Sequence, residues 1–184
     1  MWKKIFNQKV ATGLFINEDD VKLKHPFDTE SPLYSFLDSI DTIPHLESPY
    51  HFKLCYPGLT EYTFPCNEWT QTKNPMKVST MDGIGYVAIN TTFQGGSFNG
   101  IAKNKRNNKK NTILDTTPEE TSWWYAIGAL AYDTAKLIPG PKLSTGPAES
   151  QGKKVSIVEL FLKKTPAPAP TGRTYLGTHI FTFS

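Results

Sequence analysis

With 184 residues, the chain is long enough for one domain with a full core, and no apolar run approaches a membrane-spanning length. Fourteen prolines and thirteen glycines, with abundant Thr, Ser and Asn, favour short strands over long helices. The formal charge of +3 is local: Lys103, Lys105, Arg106, Lys109 and Lys110 crowd one Asn-rich run without aromatic interleaving, which reads as a solvated loop and argues against a nucleic-acid partner.

In chain order, Trp2, Ile5 and Phe6 open a first strand, and residues 10–16 hold a second. The acidic run 17–20 reads as a polar turn, and residues 24–28 as a loop. A helix is predicted from Ser31 as N-cap and Pro32 at the first helical position, with Leu33, Phe36, Leu37 and Ile40 on one stripe and Pro44 ending it. From His51 the period changes to two: Phe52, Leu54 and Tyr56 alternate with Lys53 and Cys55. Residues 84–89 form a further strand. The glycine-rich loop 95–100 lacks the spacing and the Lys-Ser/Thr of a phosphate loop, and fits close backbone approach or positive φ.

Residues 111–114 resume a strand. The run 122–130 is the most apolar, and its Ala126, Gly128 and Ala129 suggest a central strand under a tight second layer. Residues 138–141 read as a rigid turn and 155–162 as a strand. The sum is an all-β class, a β-sandwich or jelly roll with one short helix, over residues 1–164. A proline-alternating tether follows over 165–172. A β-prone segment closes the chain over 173–184, and its apolar part runs from Tyr175 to Phe183. That segment either folds back on its own sheet or adds to a neighbour's, which would make a homo-oligomer.

Two cysteines, Cys55 and Cys66, flank a turn-rich segment that can bring them together as a disulfide; the alternative is a pair of reduced, buried thiols. A disulfide implies an oxidising compartment. Asn90-Thr91-Thr92 is an N-glycosylation acceptor pattern that leans the same way. Against secretion, the residues after Met1 form no apolar signal core.

The ten residues from Cys66 to Pro75 concentrate the chemistry. Trp69 offers an aromatic face, and Asn67, Gln71 and Asn74 offer planar amides, the inventory for a sugar ring and its hydroxyls. Trp123, Trp124 and Tyr125 are a second such group. On an extended segment Asn67, Trp69 and Gln71 share a face, while Glu68 and Thr70 point away. The competing reading is a structural network, with buried indoles and amides that satisfy backbone groups.

Other chemistry finds little footing. The four histidines are scattered, so zinc is not expected, and Glu18-Asp19-Asp20 fits a solvated turn better than a calcium site. No nucleophile motif is present. Glu68, Asp115 and Glu159 are the carboxylates that a glycosidase would have to bring together. No catalytic residue, cofactor or metal is assigned, and an enzyme is not expected.

The order of motifs has a likeness. Trp2-Lys3-Lys4-Ile5-Phe6-Asn7-Gln8, Pro32-Leu33-Tyr34-Ser35-Phe36-Leu37, Phe52-Lys53-Leu54-Cys55-Tyr56-Pro57, the Cys66-to-Pro75 core, Trp123-Trp124-Tyr125-Ala126-Ile127-Gly128-Ala129, Ile138-Pro139-Gly140-Pro141 and Val158-Glu159-Leu160 follow one another. The series resembles an uncharacterised module of secreted and cell-surface proteins of invertebrates and protists, over residues 1 to about 163. The basic insertion after Gly100 and the tail after Lys164 depart from that pattern. The resemblance implies extracellular or cell-surface placement and a lectin-like or adhesive role, and nothing about chemistry. The expectation is a non-enzymatic extracellular recognition module. Its partner would be a glycan or another extracellular protein. The alternative is a structural subunit assembled through residues 175–183.

Overall fold

The computed structural model describes residues 1–10, 15–44, 48–105, 112–116, 124–130, 137–143 and 152–163. The chain is all-β, as its turn-rich composition predicts. A six-stranded antiparallel sheet has the order β2-β1-β10-β3-β4-β5. Its strands are β1 (Trp2–Lys9), β2 (Leu33–Ser35), β3 (Tyr50–Cys55), β4 (Cys66–Gln71), β5 (Val87–Thr91) and β10 (Ile157–Lys163). Two ladders of two strands each lie apart from it in the hydrogen-bonding pattern: β6 (Ala102–Lys103) with β7 (Leu114–Asp115), and β8 (Ile138–Lys142) with β9 (Gly152–Val155).

Period-two alternation builds the core side of the large sheet. Phe52 and Leu54 of β3 lie opposite Leu162 and Leu160 of β10 and opposite Trp69 and Asn67 of β4, and all six are fully buried. In β1 a bulge between Lys4 and Phe6 breaks the alternation, so that consecutive Ile5 and Phe6 are both buried. Phe98, Ile101, Ile113, Tyr125, Ala126, Ile127, Ala129 and Ile138 cover this face from the opposite side.

Five local expectations are corrected. The helix expected from Ser31 does not start there. Leu33–Ser35 is strand β2, held by β1 on one side and by Lys24 on the other through bonds of 3.0 and 2.9 Å. Two-sided ladder bonding outweighs the helical stripe, which survives only as a 3-10 helix over Leu37–Thr42 with Leu37 and Ile40 buried. The polar turn expected over 17–20 is instead helix α1 (Glu18–Lys22). Asn17 caps it by accepting the Asp20 N–H at 2.9 Å, and three acids in the first turn complement the helix dipole.

The described part of the apolar run, 124–130, is not a strand. Tyr125 and Gly128 take φ of 58° and 75°, and only Ile127 and Leu130 make isolated bridges. The small residues do serve close coverage, because a Cβ on Gly128 would overlap Val21. The prolines of Ile138–Lys142 make a strand rather than a turn. They lack N–H groups, but carbonyls suffice there: Gly140 O and Pro139 O accept the Tyr125 and Ala126 amides at 2.8 and 3.0 Å. The strand predicted over 84–89 is shifted to Val87–Thr91 at the sheet edge. Residues 11–14 of the second predicted strand, the tether and the segment from Tyr175 to Phe183 lie outside the described residues.

Candidate functional site

Strand β4 sets Asn67, Trp69 and Gln71 on one face, as their spacing predicts, but that face is the interior: all three are fully buried and Asn74 nearly so. Their polar atoms are spent on the protein itself. Asn67 Nδ2 donates to Phe93 O at 2.7 Å, and its Oδ1 accepts the Phe93 N–H at 2.8 Å. Trp69 Nε1 donates to Gln71 Oε1 at 2.9 Å, which also accepts from the Ile101 N–H at 3.2 Å. Gln71 Nε2 donates to Lys73 O at 2.9 Å and Ile101 O at 3.1 Å.

The Trp69 indole stacks on Phe52 and meets the edge of Phe98, with centroids 5.5 and 5.1 Å apart. Asn74 caps the short 3-10 helix Pro75–Lys77 through Met76 N and donates to Asp41 Oδ1, both at 2.9 Å. The expected ligand face of Asn67, Trp69, Gln71 and Asn74 is therefore corrected to a network that ties loops to the sheet. A sugar could not reach the indole without opening the core.

Tyr125, from the second group, is also interior. Its hydroxyl lies 2.7 Å from Gly95 O and 3.0 Å from Lys142 O, and burial pushes the phenol far above its ordinary range. Trp124 is partly buried against the core and Gly152, and Trp123 lies outside the described residues.

Cys55 and Cys66 are bonded, directly opposite each other where β3 and β4 meet their connecting loop. Asn90 is exposed on β5. Among the described residues no three His, Cys, Asp or Glu side chains cluster as a metal site. Glu68 pairs with His51 at 2.7 Å and Glu159 with Lys4 at 3.0 Å, whereas Asp115 is buried on β7; the three do not converge.

What the sequence reading passed over is the other face of the large sheet. The side chains between the buried ones on each strand point outward. One row runs straight across five strands: Lys4, Phe161, Lys53, Glu68 and Asn90. A second brings Trp2 opposite Lys163. Trp2 is the hub. His51 meets its ring edge-on at 4.9 Å, and Lys53 and Lys163 place their ammonium groups 4.6 and 5.9 Å from the indole centroid. Lys53 also lies 5.0 Å from the Phe161 ring.

Lys4 and His51 have carboxylate partners, but Lys53 and Lys163 have none among the described residues. Cation–aromatic contact holds these two lysines in place without cancelling their charge. The signal was in the residues that alternate with the buried ones along the strands. Phe161 is hidden in a Leu-Phe-Leu run that reads as continuous core.

No family model, curated protein or solved structure matches the chain.

Proposed function

We propose that this chain is a non-enzymatic, lectin-like recognition module of an extracellular or cell-surface compartment, and that it binds through the outer sheet face around Trp2. The observation that carries the reading is the pair Lys53 and Lys163, both drawn to the Trp2 ring and neither matched by a carboxylate among the described residues. An indole and a phenyl ring offer flat apolar surface to the C–H patch of a sugar, and two uncancelled ammonium groups attract an acid group beside it. The ligand class that fits is an acidic glycan bearing carboxylate or sulfate.

The strands fix these side chains before binding, which lowers the ordering cost. The Cys55–Cys66 bond supports the oxidising compartment, as does the likeness of the motif series to secreted and surface modules. No helix of the described residues is long and apolar enough to cross a membrane.

The test is titration of the full chain with uronate-containing, sulfated and neutral oligosaccharides of matched length. Acidic members should bind, with affinity falling as salt rises. Trp2→Ala or Lys53→Ala should weaken binding by tenfold or more without changing the unfolding midpoint much. Equal binding of neutral and acidic glycans, or full binding by both variants, overturns the reading.

A further inference from the structure

Strand β5 ends the large sheet, and four of its five residues are exposed. Val87 and Ile89 are 60% and 51% exposed, two apolar exposures on one strand. An open apolar edge is a template on which another chain can pair. The opposite edge differs: β2 is bonded on its outer side to Lys24. Next to the last residue of β5 stands Asn90, exposed, followed by Thr91 and Thr92, the one Asn-x-Ser/Thr acceptor pattern in the chain. Asn90 lies opposite Glu68 in the ladder, so its side chain leaves the sheet on the outer face, with no neighbouring strand beyond it among the described residues.

We infer that Asn90 carries an N-linked glycan and that this glycan guards the β5 edge against pairing between copies of the chain. The inference rests on the compartment part of the proposed function; Asn90 ends the outer row two strands from Lys53, so the glycan borders the ligand face without needing it. In the transfer step Asn90 Nδ2 attacks the anomeric carbon of a lipid-diphosphate-linked oligosaccharide. The N–C bond forms, the C–O bond to phosphate breaks, the lipid diphosphate leaves with the electron pair, and the amide proton passes to a base of the transferase. A bulky, hydrated group on a five-residue strand then denies a neighbour the approach of about 4.8 Å that a ladder needs.

The experiment starts from the protein isolated from its native source, with intact and peptide mass measured with and without reductant and an N-glycosidase. A glycan released with conversion of Asn90 to Asp, alongside an intact Cys55–Cys66 bond, is the expected result. A bonded chain without the glycan overturns the inference and leaves the compartment standing; free thiols without a glycan remove both. The folded protein is then trimmed by the glycosidase and sedimented over a hundredfold range of concentration. Trimming should turn a concentration-independent species into one that grows with concentration, and Ile89→Lys should restore the original behaviour. Trimmed protein that stays unchanged in size, or growth that Ile89→Lys fails to stop, overturns the guarding role.

Discussion

At the scale of single residues, the largest internal commitment is Gln71, whose side-chain amide serves the Trp69 indole, the Ile101 amide and carbonyl, and Lys73 O. Gln71→Leu is nearly volume-conserving, but it leaves a buried indole N–H and the Ile101 backbone without partners. Each such loss costs about 1–3 kcal/mol, so urea unfolding should show a drop of about 3 kcal/mol or more. Tyr56 is the opposite case. Its hydroxyl is buried without a hydrogen-bond partner among the described residues, and burial raises its pKa well above the ordinary value. Tyr56→Phe removes that unpaired group and keeps the ring against Phe93. Its unfolding midpoint should hold or rise, by up to about 1 kcal/mol.

At this scale the sequence was half legible. Spacing put Asn67, Trp69 and Gln71 on one face, but spacing cannot say which face is buried. The amides that suit a sugar's hydroxyls suit the backbone of a loop equally well.

Among the elements, the 3-10 helix Leu37–Thr42 is fastened to the turn after β4 through Asp41. Its carboxylate receives hydrogen bonds from Tyr50 and Asn74, at 2.9 Å each, and from Lys77. The Lys77 ammonium, then the Asn74 and Tyr50 donors, hold the Asp41 carboxyl below the usual carboxylate range against the opposing effect of burial. A carboxylate whose pKa is lower folded than unfolded adds stability above the ordinary carboxylate range, and that stability is lost as pH falls through the folded value. Denaturant unfolding from pH 7 down to 2 should therefore show an acid-side decline. Asp41→Asn should begin lower at pH 7 and decline less steeply. A parallel pair of curves would remove Asp41 from the acid response.

Element identity was legible where alternation met burial on one face, as in β3 and β10, whereas the polar residues of β4 suited a surface better than the core strand they form. It failed where bonding to a distant strand decided the outcome. Leu33–Ser35 has a helical stripe, yet β1 and Lys24 supply ladder partners that no local pattern reveals. Strand β8 failed for a similar reason: its Pro139 and Gly140 carbonyls need only accept, and their donors, the Ala126 and Tyr125 amides, are remote in sequence.

For the whole molecule, the Cys55–Cys66 bond closes the short loop between two central strands. Closing a loop of that size in the unfolded chain is worth about 3 kcal/mol in the chain-entropy estimate. Reductant should lower global stability by that order, and Cys55→Ala with Cys66→Ala should show the same loss with no further response to reductant. The all-β class was readable from turn density and alternation, whereas strand order was not, because it rests on pairings between opposite ends of the chain.

Strand β10 is wedged between β1 and β3 and bonds to both. Until the ribosome has delivered residue 163, the described strands of the sheet form two unjoined groups, β2-β1 and β3-β4-β5. Emergence of β10 fastens them like a keystone, so the nascent polypeptide keeps unpaired strand edges until late in translation.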